Sequence, residues 1–513
     1  MDNGRSLALC CERLFERAKQ YFSIEERKVE NMNGTHEFAK LGRLLAVVLA
    51  LLMLLPCVAA CSKKKNQETA TEETQPQQIT SDDPLGAIPD KDMDRDVVIL
   101  SGGACNDWII GDTGEPMSDA KYKRTLSLEE KFNVSVVLAG KSDSEVKRAL
   151  EQSILLDDKA YDLVQPHPHT GLASMMSEGY FANLMEIETM HLGEKWYNQS
   201  QIENYTFGNQ KLYVAASDIV IDGQAFFGIV YNRNLMANYE FESDVKTLVE
   251  SGKWTMETLN EMLKLTEVGG EVTETGTYGF LFNTAGLWRW MYALDETILI
   301  REHDGSFDQG YTRDKMTGIA NKLWDLMYSH GDTVKVEWTL NAGLPTSEIY
   351  RAFAGGRGLM IGWDIGAQYP LLRDIEFDLG YAPLPKYDES QKDYMVFCAN
   401  GIIGIPASTK SFTDSGLIYE YLAVHSSTYL ANTFYEVILG GRLADFPEDY
   451  EMLMFLHSKK FYDLGFALDE KQEFLGVLVE TLAPDVNPDT IAIKLKAKSA
   501  LLQQLIDIAN GID

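Results

Sequence analysis

Five clusters in the sequence pair flat aromatic rings or imidazoles with hydrogen-bonding side chains. Asn106, Asp107 and Trp108 follow the run DVVILSGG, and His167 and His169 lie in QPHPHT after YDLV. Asp222 and Gln224 precede FFGIVYN, Trp288, Arg289, Trp290 and Tyr292 fill LWRWMY, and Trp363 and Asp364 close GLMIGWD. Rings offer apolar stacking faces, while Asp, Asn, Gln, His and Arg offer directed donors and acceptors. Together they suit reversible recognition of a small polar ligand. Each cluster also has a packing reading. The loop after DVVILSGG can be an ordinary one anchored by Trp108, and the rings of LWRWMY, spaced by two and four, fit a stacking platform or helix packing. Trp363 serves either as a platform or as a core plug, Arg289 reads as solvated, and Asn400 before GIIGI is a weaker addition. The two histidines lack a third ligand at a familiar spacing, so plain loop histidines outweigh a metal site.

No catalytic constellation survives its context test. The chain has no GxSxG, HExxH, Walker loop or GxGxxG after a strand. Cys105 in SGGAC could sit on a nucleophile turn, but no His partner can be assigned to it. Paired carboxylates for glycan cleavage stay open, because that pairing is spatial. The net charge of −31 excludes nucleic acid, which needs clustered Lys and Arg. Six cysteines are too few for a disulfide framework, and pairing of Cys105 with Cys398 is left open.

The elements that would position these clusters alternate in type. Strand-like runs at 96–103, 133–140 and 161–164 are separated by helical stretches at 121–132 and 144–156, which gives βαβ units and a largely parallel sheet. Further strands are expected at 211–217, 226–232, 358–362 and 401–405. Helices are expected at 255–264, 313–328, 415–424, 427–437, 472–482 and 490–509.

Before this body lies an address. Leu44 to Ala60 is uncharged, is preceded by Lys40 and Arg43, and ends at Cys61, followed by Lys63 to Lys65. A basic lead, an apolar core and a small-residue end make a signal peptide, and the run is short for a spanning helix. Val58, Ala59, Ala60 and Cys61 resemble the bacterial lipobox, which implies lipidation of Cys61 and attachment to the extracytoplasmic side of the cell membrane by acyl chains. Residues 1–31 read as a start-site artefact or a long n-region, since Met32 opens an ordinary signal peptide over 32–60. Residues 61–95, rich in Lys, Glu, Thr, Gln and Pro, read as a flexible tether.

Signal, lipobox, tether and α/β body in this order resemble the family 1 extracellular solute-binding proteins, the sugar-type receptors of ABC importers. The segments that carry the resemblance are YDLV, KLYVAAS with GIVYNRNLM, SGKWTMETLNEMLKLT, FAGGRGLMIGWD, YAPLPKYDE and GIIGIPAST. The resemblance implies an α/β, two-lobed periplasmic-binding-protein-like fold of type II. Each lobe is then a mainly parallel sheet flanked by helices, with a hinge between lobes and ligand enclosed in the cleft. Lobe one would take 96–222 and 380–436 and lobe two 224–376 and 440–513, with crossings near Asp222, Ile375 and Leu439. Asp222 and Gln224 would then face solute from the hinge, the QPHPHT loop would border the cleft, and Trp363 would be the stacking residue. The implied protein is a monomeric receptor without catalysis or cofactor. It captures a mono- or oligosaccharide and delivers it to the permease subunits of an ABC importer. A surface lipoprotein that senses solute or cleaves glycans is the other reading.

Overall fold

The computed structural model describes residues 83–103, 108, 114–221, 226–266, 276–338, 347–366 and 369–511, without the side chains of 285 and 369. Cys61, Cys105, Asn106, Asp107, Asp222 and Gln224 lie outside the described residues, as do the expected signal peptide over 32–60 and most of the expected tether. Both sheets described below belong to one compact unit, Pro76–Asp513.

Fourteen strands are described: β1 (Arg95–Ser101), β2 (Val134–Gly140), β3 (Leu163–Gln165), β4 (Val214–Ala216), β5 (Phe227–Asn232), β6 (Tyr278–Asn283), β7 (Leu299–Arg301), β8 (Phe307–Gln309), β9 (Val334–Glu337), β10 (Gly358–Asp364), β11 (Leu379–Ala382), β12 (Val396–Phe397), β13 (Ile402–Gly404) and β14 (Lys460–Phe461). They form two five-stranded sheets, ordered β2-β1-β3-β13-β4 and β9-β6-β10-β5-β11. In the first, β1 is parallel to β2 and β3, β13 runs against β3, and β4 runs against β13. The second repeats this strand for strand. There β6 is parallel to β9 and β10, while β5 is antiparallel to both β10 and β11. Four of the five strands in each sheet thus share a direction. The reversed strand in each case, β13 or β5, is the one that has just crossed from the other lobe.

Local sequence explains the flanking helices. Pro116–Phe132 ends at Asn133 in the left-handed region, which turns the chain directly into β2. In Asp143–Leu156 the Glu145 carboxylate accepts from the Ser142 backbone N–H at 3.2 Å, capping the first turn, while Val146, Leu150 and Ser153 face inward. Arg313–Tyr328 buries Ile319, Leu323, Leu326 and Met327, the face expected from their spacing.

Two expected boundaries move. The crossing placed near Ile375 occurs instead at about 396–402, because β11 pairs antiparallel with β5 of the second sheet and the segment after it stays on that lobe. The Trp254 indole N–H donates to the Pro383 carbonyl at 2.8 Å, and the Tyr394 hydroxyl to that of Val249 at 3.3 Å. Any tether within 61–95 must also stop sooner than expected. The end of that segment is docked: Ile88 is buried, the Met93 N–H donates to the Phe132 carbonyl at 2.8 Å, and Lys91 pairs with Asp414. A polar average over 61–95 concealed the anchoring Leu85 and Ile88.

Candidate functional site: the cleft between the lobes

In both sheets the C-terminal ends of the parallel strands carry the candidate residues, the position at which open α/β sheets bind ligands. From the first lobe come the loop after β1, with Trp108, and the loop after β3, with His167 and His169. From the second come the helix Leu287–Ala293 that follows β6 and the end of β10, with Trp363 and Asp364.

The helix Leu287–Ala293 sorts its aromatic residues by face. Trp288 and Tyr292 are one turn apart and join a cluster with Phe397 of β12 and Phe466 of the short helix Leu464–Leu468. Ring centroids lie 4.5 Å apart for Trp288 and Phe397, 4.7 Å for Trp288 and Phe466, 4.7 Å for Phe397 and Phe466, and 4.0 Å for the stacked Tyr292 and Phe397. Tyr292 and Phe397 form the buried floor, and Trp288 is half-buried above them. Trp290 points the other way. It is 1% exposed and stacks on Phe282 at 5.4 Å, so the structure places it in the lobe-two core and not at the cleft.

Arg289, expected in solvent, is instead held flat between rings. Its guanidinium carbon lies 4.2 Å from the Trp288 ring centre and 4.9 Å from that of Phe227, and Nη2 donates to Asp364 Oδ2 at 3.1 Å. Burial draws its pKa down while the Asp364 carboxylate opposes the shift. Its Nε is buried and finds no hydrogen-bond partner among the described residues.

His169 meets this assembly from the first lobe. Its ring packs edge-on against Phe466 at 4.4 Å, and its Nδ1 is buried without a partner among the described residues. Burial, with the neighbouring His167 and Arg289, lowers its pKa to about 4, so the imidazole is neutral near pH 7. His167 lies 5.7 Å from it, ring to ring, and Nδ1 of His167 accepts from the His169 backbone N–H at 3.3 Å. Between His169, Trp288, Phe466, Asp469 and Gln472 remains a cavity of about 10 Å³, room for a single water.

The other predicted residues sit deeper. The Trp108 indole N–H donates to Gln165 Oε1 at 2.5 Å, with the Arg124 guanidinium 5.2 Å from its ring centre, which ties the loop after β1 to the end of β3. Trp363 is 3% exposed and stacks on Tyr350 at 5.2 Å. Its Nε1 also lacks a partner among the described residues. Cys398 is buried beside the Tyr462 hydroxyl at 3.2 Å. Sequence reasoning missed Phe397 and Phe466, which lie in segments with no aromatic pattern, and it misjudged Arg289. The signal for Arg289 was its place between two tryptophans.

No protein-family model and no curated protein matches the sequence. Solved structures do. An ABC substrate-binding protein of Listeria monocytogenes in complex with cycloalternan aligns at TM-score 0.55 and 13% identity, covering 83% of this chain and 100% of that one. The GacH receptor of Streptomyces glaucescens, solved unliganded and with acarbose, aligns at TM-score 0.55 and 15% identity over 80% of this chain and 99% of its own. A cyclo/maltodextrin-binding protein complexed with maltotetraose aligns at TM-score 0.53 and 16% identity over 81% and 96%. With two sheets of matching topology joined by crossing strands, the chain therefore has the two-lobed, periplasmic-binding-protein-like fold of the family 1 extracellular solute-binding proteins.

Proposed function

We propose that this chain is an extracytoplasmic receptor that captures a small saccharide between its lobes and hands it to an ABC importer, anchored to the membrane through lipid on Cys61. The observation that carries the reading is the assembly of Trp288, Phe466 and the Arg289–Asp364 pair at the strand ends. It offers stacking faces beside charged hydrogen-bonding groups, the combination that a pyranose with apolar C–H faces and hydroxyls requires. Arg289 Nε and His169 Nδ1 are buried polar atoms whose hydrogen bonds ligand hydroxyls could complete. The fold's neighbours solved with cycloalternan, acarbose and maltotetraose agree with an oligosaccharide ligand. With about 10 Å³ between the side chains, entry requires the lobes to separate about the segments that join them, among them 396–402.

Thermal unfolding of the chain against cycloalternan, acarbose, maltotetraose, amino acids and peptides tests this. A ligand at a hundred times its Kd adds about 2.7 kcal/mol to the folded state. A saccharide that stabilises the protein and is recovered intact supports the receptor reading, whereas a saccharide consumed during the assay points to an enzyme. Incorporation of a labelled fatty acid into the wild type, lost in Cys61→Ser, tests the anchor.

A further inference from the structure

Resting on the saccharide-cleft reading above, we propose that Phe466, with Trp288 beside it, forms a subsite for one pyranose ring and that His169 of the opposite lobe covers it until a saccharide displaces the imidazole. Phe466 packs on Trp288 and on Phe397, each at 4.7 Å, and the His169 ring meets it edge-on at 4.4 Å. This is the van der Waals spacing at which a sugar C–H face would lie, and an imidazole has a comparable footprint. The cavity left beside it, about 10 Å³, admits no ring, so His169 and a sugar exclude one another.

The chain delivers the imidazole on a stiff arm. Pro166 and Pro168 bracket His167, Gly171 at φ 88° ends the loop, and the His167 side chain accepts from the His169 backbone. A second contact supports the docked position: the Ser174 hydroxyl, in the helix Leu172–Ser177 just beyond, donates to Glu470 at 2.5 Å. The cap is nevertheless poorly satisfied. His169 Nδ1 is buried without a partner among the described residues, and the groups around the ring are His167, Arg289 and, across the cavity, Asp469 and Gln472. A ring held by packing at the expense of a hydrogen bond is one that a better-matched ligand can replace.

The test uses the full chain, calorimetry with maltotetraose and cycloalternan, and two variants of opposite sign. His169→Ala removes the competitor and should tighten binding by about two- to tenfold, the factor by which the covered state reduces apparent affinity. His169→Phe fills the same space without an unpaired nitrogen and should weaken it. Equal weakening by both variants would mean that His169 grips the ligand, and unchanged affinity in both would mean that it covers nothing; either overturns the cap. No binding by wild type or variants overturns the saccharide reading itself. Without added saccharide, the His169 imidazole followed by NMR, assigned by difference against His169→Ala, should titrate near 4 if docked. Titration near the ordinary ~6.5 overturns the docked position.

Discussion

Replacing Arg289 by methionine separates the two jobs assigned to that side chain. Methionine keeps an apolar side chain of similar reach, while the guanidinium that lies over the Trp288 and Phe227 rings and meets Asp364 at 3.1 Å is lost. Breaking a fully buried ion pair from one side costs about 3–5 kcal/mol, and an exposed pair is worth about 0–1. The side chains here are 16% and 19% exposed, between those limits, so the expected loss of stability is about 1–3 kcal/mol. A double-mutant cycle with Asp364→Asn should return a coupling energy, because the two groups touch. Binding carries a separate cost. If Nε donates to a sugar oxygen, a charge-assisted hydrogen bond worth about 1.5–3 kcal/mol disappears, and the saccharide Kd rises about 10- to 100-fold. Denaturant unfolding gives the first quantity and calorimetry the second. Loss of stability with an unaltered Kd would refute the ligand role and leave a structural pair. Additive singles in the cycle would refute the pair as well.

Trp288→Ala should weaken saccharide binding by about 1 kcal/mol or more, at least about fivefold, whereas Trp290→Ala should cost about 3–5 kcal/mol of stability and leave the affinity of the folded fraction unchanged; calorimetry and urea unfolding of each variant decide. Glu420, 1% exposed, accepts from the His191 backbone and ring, the Trp196 indole and the Tyr197 hydroxyl, so Glu420→Ala strands these donors and should cost about 3 kcal/mol or more in urea unfolding. Asp463 is held at about 6 by burial, against ~3.9 in an unfolded chain. A raised carboxyl pKa means that the fold binds the proton more tightly, so this group's contribution is fully present below about pH 4 and lost as pH rises through about 6. Relative to Asp463→Asn, the wild type should gain about 2 kcal/mol on going from pH 7 to 4; a gain in the opposite direction would show that the donors around Asp463, Tyr292 and the Ile298 and Gly465 N–H groups, outweigh its burial.

The parts of the fold legible in the sequence are those with strong local periodicity. DVVILS, NVSVVLAG and GLMIGWD are apolar, β-branched or glycine-bounded runs that become β1, β2 and β10, and the amphipathic period of 313–328 becomes a helix with the same bounds. β6, β9 and β11 escaped notice: VKVE and LGYA are four residues each, too short for alternation to stand out, and all three strands pair with partners more than fifty residues away in the chain. The misplaced crossing has the same cause, since only pairing with β5 reveals that 379–382 belongs to the second sheet. At the site, Trp288, His169 and Asp364 were legible as residue types next to strand ends. Trp290 was not separable from Trp288 until the helix fixed which face each occupies. Phe466 lies 178 positions after Trp288 by residue number, and only tertiary packing joins them.

Phe397 carries the last consequence of this assembly. It lies on β12, in the segment that crosses from the second lobe to the first, and pairs through β12 with β14 on the returning chain. Trp288, Phe466 and Tyr292 all pack on its ring, at 4.5, 4.7 and 4.0 Å. The stacking platform is thus built on a crossing segment, and any rotation of the lobes about that segment turns the floor under the ligand. Phe397→Leu keeps an apolar side chain but withdraws the flat support. It should weaken saccharide binding several-fold through the tilt of Trp288, although Phe397 does not line the cavity itself. Stability should fall by about 1–2 kcal/mol, less than the 3–5 of a full truncation to alanine. The discriminating readout is Trp288 fluorescence on addition of maltotetraose. A positioning role predicts a reduced spectral change at saturation together with the weaker Kd. An unchanged spectral response, with the loss confined to stability, would show that the platform holds its geometry without the crossing strand and that binding and lobe movement are mechanically separate.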